Sequence, residues 1–380
     1  MSLHLSRFRS FHFRNLQSDE LHLHPQFNFF YGDNGQGKTN LLEAIYFLLT
    51  LRPLRPVRTR QLLAWDHQEA SVQGDLTGNV TRTLQVRFTP RQRSLLLNGG
   101  PPLSLDDYFE NTHVVSFTPE EIQLIRGAPE LRRRFLDRAI FNTHLTYLQE
   151  VRQYLKLLSH RNALLKQTSF DETLLEVLNE QFVHSGARLV RRRMMLLASL
   201  QGHLQTAYAR IFPTSEIKLG AEYSSTLGSL PKPAEFEDEQ ELEGLLQQRF
   251  VEQLDKKKTR ERERRTTLVG PHLDDLHFFF NGHPFKHAAS QGQTRALVLA
   301  LKIAEIQEVE EQTGHHPILI LDDVAGELDP RHAAFLFGYL EETKSQVLLS
   351  TTSLDYISMK KKNLFPSFFI SNGNVISNPT

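Results

Sequence analysis

The chain has 380 residues, which is long enough for two domains with separate hydrophobic cores. It contains no cysteine, so disulfide bonds and thiolate metal sites are excluded, and no apolar run approaches the roughly 20 residues that span a bilayer. Basic and acidic side chains balance at 44 each, so any affinity for nucleic acid must come from a local basic surface. The first residues alternate like a strand and do not resemble a signal peptide. We therefore expect a cytoplasmic protein without membrane attachment.

A phosphate-binding P-loop pattern, G-x-x-x-x-G-K-S/T, occupies Gly32 to Thr39. A buried strand, Phe27 to Tyr31, is predicted before it and a helix, Leu41 to Leu49, after it. Backbone N–H groups in such a loop surround phosphates, and the helix dipole adds partial positive charge. The pattern therefore predicts a nucleoside triphosphate site.

Roles within the loop follow from side-chain chemistry. Lys38 is expected to reach the β- and γ-phosphates, and the Thr39 hydroxyl to bind Mg²⁺, whose other ligands are mostly water and phosphate oxygens. The predicted nucleotide-binding residues here are Asn34, Gly35, Gln36, Gly37, Lys38, Thr39 and Asn40.

Arginine and lysine side chains recur in clusters along the chain. They lie at Arg52 to Arg60, Arg132 to Arg134, Arg191 to Arg193 and Lys256 to Arg265. Any one cluster is typical of a solvated helix face. As a set they predict a DNA-facing basic surface, because phosphate neutralisation needs only a local stripe of charge.

The tetrapeptide Ser290-Gln291-Gly292-Gln293 begins a predicted long helix, Arg295 to Glu311. It resembles the signature motif of ABC-type ATPases, in which a serine hydroxyl and a glycine N–H bind a γ-phosphate. Alone, such a motif is more often a simple helix N-cap. Its position before the next motif favours the signature, with Ser290, Gly292 and Gln293 as nucleotide contacts.

A Walker B strand is predicted at Pro317 to Asp323, an apolar run that ends in two carboxylates. Asp322 is expected to hold Mg²⁺ through water, and Asp323 to act as the general base that polarises the attacking water. Asp323, Lys38 and Ser290 are the predicted catalytic residues. Glu327-Leu328-Asp329 follows at the spacing of the ABC D-loop.

An ABC signature completes the site of a second subunit, so two heads sandwich two nucleotides across a two-fold interface. We therefore expect ATP-dependent dimerisation.

No histidine follows the predicted last core strand, Gln346 to Ser350, where Thr351 and Thr352 stand instead. A hydroxyl orients water but does not take a proton as imidazole does, which predicts slow hydrolysis. Gln123 is the nearest Q-loop candidate, but a solvated side chain is favoured.

The motifs predict an α/β fold with a split ABC-type P-loop ATPase head. Residues 1–118 form its N-terminal part and 266–380 its C-terminal part, with a mainly helical arm domain, 119–265, inserted between them. The arm contains one strand-like segment, Glu216 to Tyr223, and no sustained heptads. Strands of the first part are predicted at Ala70 to Leu76, Thr83 to Phe88 and Ser94 to Asn98.

His272, in the segment Gly270 to Asp275, invites a metal interpretation because two carboxylates follow it. We favour turn and domain-contact chemistry, with Asp274 and Asp275 capping the turn before a strand at Leu276 to Phe280. No metal other than nucleotide-bound Mg²⁺ is predicted, since the histidines lack recognised ligand spacing.

Several motifs together resemble the RecF family, bacterial recombination-repair ATPases related to the structural-maintenance-of-chromosomes (SMC) proteins. They are Phe13-Arg14-Asn15-Leu16, Asn34 to Tyr46, Thr118-Pro119-Glu120, Arg133 to Asp137, Gln291-Gly292-Gln293 and Asp322 to Asp329. The resemblance implies an ATP- and Mg²⁺-dependent homodimer that binds double-stranded DNA, especially gapped DNA, and works with RecR and RecO to load recombinase. It also implies that Arg14 approaches the nucleotide phosphates and Ser290 the γ-phosphate across the dimer.

Two other classes of function stay open. A nucleotide-binding subunit of a transporter is disfavoured by the split head, the basic clusters and the divergent signature. An ATPase-nuclease of the overcoming-lysogenisation-defect class needs an acidic Toprim domain, which no segment supplies. Membrane association or Mg²⁺-dependent strand cleavage distinguishes these classes from a DNA-binding ATPase.

Overall fold

The computed structural model describes residues 3–17, 20–168, 171–212, 217–357, 359 and 362–378, without the side chains at 325, 327, 377 and 378. Glu216 of the predicted arm strand and the side chain of the D-loop residue Glu327 lie outside this description. The chain divides into two compact units, one formed by Met1–Glu121 with Glu305–Thr380 and the other by Ile122–Ala304. In the described part, no helix is both long and apolar enough to span a membrane.

The described strands and helices are numbered in chain order. The strands are β1 (His4–Phe11), β2 (Glu20–His22), β3 (Phe27–Tyr31), β4 (Ala70–Thr77), β5 (Thr81–Phe88), β6 (Arg93–Leu97), β7 (Val114–Phe117), β8 (Leu219–Ser224), β9 (Asp275–Phe280), β10 (His283–Pro284), β11 (Ile318–Asp322), β12 (Val347–Thr351), β13 (Ser367–Ser371) and β14 (Asn374–Asn378). The helices are α1 (Lys38–Thr50), α2 (Leu105–Phe109), α3 (Gln123–Arg126), α4 (Pro129–Thr143), α5 (Tyr147–Leu165), α6 (Glu172–Ile211), α7 (Glu239–Arg264), α8 (Phe285–Ala288), α9 (Gln291–Thr313), α10 (Val324–Glu327) and α11 (Pro330–Glu342).

A six-stranded sheet in the first unit carries the nucleotide motifs. Its order is β14-β13-β3-β12-β11-β7, with β13, β3, β12, β11 and β7 parallel. Every residue of β11 and β12 is buried, as expected for strands of a parallel sheet that is covered on both faces. Tyr31 pairs with Thr351 and Ser350 with Asp322, so β3, β12 and β11 end level with one another. Ligand-binding residues of α/β sheets collect at this edge.

A second, antiparallel sheet of the first unit has the order β2-β1-β4-β5-β6. Buried and exposed residues alternate along β1 and β5, so one face of each strand packs into the core. The predicted strands of this region are confirmed to within two residues at each end. Helix α1 contacts both sheets, which explains why nearly all of its residues are buried.

The predicted last core strand, Gln346 to Ser350, is observed as β12, but the prediction that it is the last one is wrong. The chain continues through β13, which pairs in parallel with β3, and turns back into β14. An Asn-Gly pair, Asn372-Gly373, makes this turn with both residues at positive φ. The dipeptide is a strong hairpin signal that the sequence analysis did not use.

The second unit is mainly helical. Helix α6, 40 residues long, packs against α5 and α7, and a small sheet, β10-β9-β8, lies beside it. Strand β8 pairs with β9 from Leu219↔Phe280 to Ser224↔Asp275. This pairing joins the chain beyond residue 265 to the helices. The second unit therefore extends to Ala304, whereas the sequence analysis ended the arm at 265.

Candidate nucleotide-binding site

The P-loop connects β3 to α1 in the first unit. Gly32 and Gly37 have φ of 148° and 116°. A Cβ atom on Gly32 would lie 2.4 Å from the carbonyl oxygen of Ile370, and one on Gly37 would lie 3.2 Å from Asn15 Oδ1. Only glycine fits the Gly32 position, and a side chain on Gly37 would be strained. Gly37 is the N-cap of α1 and makes no side-chain cap, so the first N–H groups of the helix suit an anion.

Lys38 lies across the P-loop. Its ammonium donates to the carbonyl oxygens of Gly32 at 2.7 Å and Asp33 at 2.9 Å, and its side chain is buried. Burial lowers the pKa of Lys38, while the carboxylates of Asp323, Asp322 and Asp33 act in the opposite direction. The charge is thus held inside the loop by two backbone carbonyl oxygens.

Asp322 joins the P-loop helix to the Walker B strand. Its Oδ1 atom accepts from the Thr39 hydroxyl and from the Ser350 hydroxyl, both at 2.8 Å. Its Oδ2 atom accepts from Arg55 Nη2 at 3.1 Å, and the side chain is fully buried. A hydroxyl and a carboxylate side by side are the hard oxygen ligands that Mg²⁺ prefers. The predicted pair, Thr39 and Asp322, therefore fits this metal.

Asp323 begins α10 with a left-handed backbone, at φ 51°. Its N–H donates to Ser350, to Oγ at 2.9 Å and to the carbonyl oxygen at 3.2 Å. Positive φ is costly for a residue with a side chain and is concentrated at functional sites. On the neighbouring strand, the Thr351 hydroxyl donates to the Ser353 carbonyl oxygen at 2.9 Å. The Thr351 hydroxyl is therefore bonded within its own segment of the chain.

A buried glutamate on α1 was missed by the sequence analysis. Glu43 Oε2 lies 2.6 Å from Arg14 Nε, and Glu43 Oε1 accepts from the Arg55 N–H at 3.4 Å. Burial raises the pKa of Glu43, and the charges of Arg14 and Arg55 oppose that change. The structure thus places the Arg14 guanidinium on Glu43. A single acid within the otherwise apolar run Leu41 to Leu49 was the available sequence signal.

The other predicted loop residues take different positions. Asn34 and Gly35 are exposed at the tip of the loop. Gln36 accepts, through Oε1, from the Asn372 N–H at 2.8 Å, and Asn40 Nδ2 donates to Asn15 Oδ1 at 2.7 Å. The side chains of Gln36 and Asn40 therefore contact neighbouring segments of the first unit.

The predicted signature motif forms the N-terminus of α9, in the second unit. The Ser290 N–H donates to Gln293 Oε1 at 2.8 Å, and the Gln293 N–H donates to Ser290 Oγ at 3.2 Å. This reciprocal pair is a capping box. Ser290 is exposed, and apart from the helix backbone and the residues next to Gly292, the only described atom within 4.0 Å of a Cβ atom on Gly292 is Ser290 Oγ. The motif therefore presents a hydroxyl and backbone N–H groups to the surroundings of the helix end.

Similarity to known proteins extends over nearly the whole chain. The model of the RecF/RecN/SMC N terminal domain matches residues 3–373. The DNA replication and repair protein RecF of Myxococcus xanthus (strain DK1622) is 41% identical over 342 residues, which is 90% of this chain and 88% of that protein. A solved structure of the recombination mediator protein RecF-ATP in the RecFOR pathway has a TM-score of 0.87 and 29% identity, covering 100% of this chain and 98% of that one.

The chain belongs to the RecF family. An Smc head solved with the C-terminal winged-helix domain of ScpA shares the fold, with a TM-score of 0.54 at 13% identity over 99% of this chain and 97% of that one. The predicted α/β fold with an SMC-like ABC-type ATPase head is confirmed by the family model and by the RecF-ATP structure. Membership of the RecF family places the chain among ATP-binding proteins of DNA replication, repair and recombination.

Several arginines of two basic clusters are buried in the second unit of this RecF-family chain. Arg132 forms two bonds to Asp275, at 2.7 and 2.8 Å. Arg193 Nη2 lies 2.9 Å from Asp137, and Arg191 pairs with Glu239 and Glu243. These arginines are buried, and buried charges require such partners. Arg132, Arg191 and Arg193 therefore do not belong to the predicted DNA-facing surface, whereas Arg134 is exposed and stays a candidate for it.

Other basic side chains are exposed. They include Arg58 and Arg60 after the P-loop helix, and Lys256, Arg260, Arg264 and Arg265 at the end of α7. Arg262 is also exposed but pairs with Glu172 at 2.5 Å. The predicted basic surface thus keeps the exposed members of the first and last clusters, together with Arg134.

His272 lies in an interior hydrogen-bond network of the second unit. Its Nδ1 atom is 2.6 Å from the Tyr154 hydroxyl, and burial lowers its pKa to about 4. Asp274 is buried and accepts from Tyr223, Ser225 and Thr226, so it fixes a distant loop and does not cap its own turn. Among the residues that the structure describes, no group of three or more His, Cys, Asp or Glu is placed to hold a metal ion.

Proposed function

We propose that this chain is an ATP-gated clamp on DNA. In this proposal two chains enclose two ATP molecules, bind double-stranded DNA near single-strand gaps in the cytoplasm, and assist RecR and RecO in loading recombinase. Slow hydrolysis, stimulated by DNA, then separates the chains. The observation that carries the proposal is the 2.8 Å hydrogen bond between Thr39 and Asp322, which brings the P-loop and the Walker B strand together at one sheet edge.

The residues of the first unit have distinct roles in this scheme. The N–H groups from Gly35 to Thr39 bind phosphate oxygens, and Lys38 shifts from the Gly32 and Asp33 carbonyls to the β- and γ-phosphates. Thr39 and Asp322 hold Mg²⁺, which neutralises charge on those phosphates when bound. Asp323 orients and deprotonates the attacking water.

The signature acts across the dimer in this proposal. Ser290 is exposed at the start of a 23-residue helix, where its hydroxyl and the Gly292 N–H suit the γ-phosphate held by the partner. The Gln293 N–H joins them after it leaves Ser290 Oγ. Arg14 approaches the same phosphates from within its own chain, after leaving Glu43.

We also propose that the head comprises 1–118 and 266–380 and that the arm comprises 119–265. In this division the strand β9 belongs functionally to the head.

DNA contact is assigned to the exposed cations. Lys256, Arg260, Arg264 and Arg265 occupy the last three turns of α7 and its C-cap. Arg58 precedes a short 3₁₀ turn, Thr59–Leu62, and Arg60 lies within it. Each contact with a phosphate releases a counterion, so a stripe of this kind supports binding although the whole chain is neutral.

Sedimentation velocity tests the proposal. The chain is examined alone, with Mg²⁺–ATP, and with Mg²⁺–ATP plus either gapped or uninterrupted duplex DNA. We expect ATP to convert monomers to dimers, and the dimers to bind gapped DNA more tightly. Lys38→Met is the matched variant, because it removes the phosphate-binding charge from the P-loop. A sedimentation coefficient of the wild-type chain that does not change with ATP contradicts the clamp.

A further inference from the structure

The turn between β13 and β14 contacts the P-loop directly. The Asn372 N–H donates to Gln36 Oε1 and the Gly373 N–H donates to the Gln36 carbonyl oxygen, both at 2.8 Å. The turn therefore binds both the side chain and the main chain of one P-loop residue. A Cβ atom on Gly37, the next residue, would lie 3.3 Å from Gly373 Cα, so the two backbones are also in close approach.

The same turn is held from its other side by the segment after β1. The Gly373 carbonyl oxygen accepts from the Gln17 N–H at 3.0 Å. A Cβ atom on Gly373 would lie 1.8 Å from the Asn15 carbonyl oxygen, a distance that real atoms do not adopt. Gly373 therefore fits between Asn15 and Gln36 only because it has no side chain, and its φ of 78° also requires glycine.

The tip of the P-loop has little packing of its own. Asn34 and Gly35 are exposed, and apart from Asn34, Gly35 and Gln36 themselves no described residue has an atom within 4 Å of a Cβ atom placed on Gly35. The path of the backbone between Gly35 and Lys38 therefore depends on the bonds that Gln36 makes. Small displacements of such a loop matter, because its N–H groups must point at phosphate oxygens.

We propose that the Asn372-Gly373 turn is a positioning element for nucleotide binding, acting through Gln36. The turn holds the P-loop in the conformation that receives phosphates. The β13–β14 hairpin therefore sets the affinity of the P-loop for nucleotide. This inference rests on the proposed binding of ATP by the P-loop. The coupling between the turn and the nucleotide is reciprocal. If the turn strengthens ATP binding, bound ATP must stabilise the turn by the same free energy.

The chain supplies a matched control for Gly373. Asn281-Gly282 forms another turn of the same sequence, with φ of 48° and 80°, between β9 and β10. Apart from Gly282 and the residues on either side of it, no described residue has an atom within 4 Å of a Cβ atom on Gly282. Gly373→Ala and Gly282→Ala therefore impose the same backbone strain, and only the first pushes the turn against Asn15. Asn372→Gly is the conservative variant, because it keeps the N–H donor and tolerates positive φ.

The first experiment measures the Kd of Mg²⁺–ATP by calorimetry for the full chain and these three variants, with the melting temperature of each without nucleotide. We expect Gly373→Ala to raise Kd by about ten-fold or more, since misplacement of a binding loop by about 1 Å has effects of this size. Gly282→Ala and Asn372→Gly are expected to keep the wild-type Kd. Wild-type affinity in a folded Gly373→Ala chain overturns the inference, whereas absence of ATP binding by the wild type overturns the proposed function.

A second measurement needs no substitution, so it decides the matter even if Gly373→Ala fails to fold. Hydrogen exchange of the wild-type chain is followed with and without Mg²⁺–ATP, at concentrations where sedimentation shows monomers. We expect ATP to slow exchange at the amides of Asn372 and Gly373, whose hydrogen bonds end on Gln36, and to leave Asn281 and Gly282 unchanged. Equal exchange at Asn372 and Gly373 in both conditions overturns the inference.

Discussion

Arg55 Nη2 lies 3.1 Å from Asp322 Oδ2, at the end of the Walker B strand. Asp322 is fully buried and the Arg55 side chain is 39% exposed, so the pair stands at the boundary between the site and solvent. Arg55 Nε also lies 3.3 Å from Glu120. Arg55 belongs to the basic segment Arg52 to Arg60, and it connects that segment to the carboxylate assigned to Mg²⁺.

Arg55→Ala is expected to lower the stability of the chain without ligand and to increase the stabilisation that Mg²⁺–ATP provides. Without the guanidinium, a buried carboxylate keeps only hydroxyl partners among the contacts described above, which we expect to lower the free energy of unfolding by about 1–3 kcal/mol. Mg²⁺ restores positive charge beside Asp322. Thermal unfolding with and without Mg²⁺–ATP should therefore show a larger ligand-induced rise in Tm for Arg55→Ala than for the wild type. Arg58→Ala, in the same segment but exposed, is the control, and equal rises in all three contradict the assignment.

Asp322 and Asp323 are expected to separate binding from hydrolysis. Asp323→Asn keeps the oxygens that hold Mg²⁺ but loses the base, so it should bind ATP, hydrolyse it slowly and stay dimeric on DNA. Asp322→Asn loses the charge that accepts from Thr39, Ser350 and Arg55, so it should weaken Mg²⁺–nucleotide binding. Calorimetry and phosphate release measure the two effects. Hydrolysis at the wild-type rate by both variants contradicts the Walker B assignment.

Stability is expected to fall between pH 7 and pH 5 because His272 is held neutral. Burial lowers its pKa to about 4, with Arg133, Arg161 and Arg193 adding to the effect, whereas the unfolded chain titrates near 6.5. Below pH 6.5 the unfolded state takes up a proton that the folded state does not. The free energy of unfolding should therefore drop by about 2 kcal/mol over this range through His272 alone.

Urea unfolding at several pH values measures this slope. His272→Asn retains a hydrogen-bonding group for the Tyr154 hydroxyl but does not titrate, so its stability should depend less on pH even if its absolute stability is lower. His283→Asn, at an exposed position, should keep the wild-type slope. Parallel slopes for His272→Asn and the wild type contradict the buried neutral imidazole.

Salt dependence distinguishes the exposed cations from the internal ones. If Arg264 and Arg265 contact duplex phosphates, replacing both by Ala should reduce the slope of log affinity against log salt by up to about 0.9 for each lost contact. Arg132→Ala should instead lower the stability of the chain, because it leaves Asp275 without its bidentate partner, and should leave the slope unchanged. An unchanged slope for the double variant removes this segment from the proposed DNA contact.

The sequence predicted the elements whose patterns are local. The P-loop, the strand β11 and the helix α9 each combine an apolar period with a short motif, and all three are observed near the predicted bounds. Arg132 and Arg193 were misassigned to the surface because a run of charge does not reveal its partners. Asp275 lies 143 residues after Arg132, and Asp137 lies 56 residues before Arg193.

Contacts between distant segments account for the rest of what the sequence did not provide. Glu43 and Arg55 are ordinary residues in the sequence and become part of the site only when α1 and the following loop meet β11. Asn372 and Gln36, which are in contact, lie 336 residues apart in the chain. The sequence around Asn372-Gly373 does not predict Gln36 as its partner, and the sequence around Gln36 does not predict the turn. Such pairings arise from the order of strands in the sheet, which periodicity does not determine.

The final prediction tests whether Ser290 completes the site of a partner. Ser290→Arg should leave ATP binding by a single chain intact, because the P-loop of that chain is unchanged, yet it should block dimerisation by placing a bulky side chain at the partner's γ-phosphate. Ser290→Arg mixed with Asp323→Asn should recover part of the hydrolysis. In a mixed dimer one site carries both lesions, while the other combines an intact Asp323 from the first chain with an intact Ser290 from the second.

Phosphate release by the mixture, compared with each variant alone at the same total concentration, measures this recovery. Recovery should be partial, because only mixed dimers have a sound site and each has one. Ser290→Ala is the milder control: it removes the hydroxyl without adding bulk, so it should slow hydrolysis while allowing dimers to form. Full hydrolysis by Ser290→Arg alone, at concentrations where sedimentation shows monomers, means that the site is completed within one chain and that ATP does not gate a clamp.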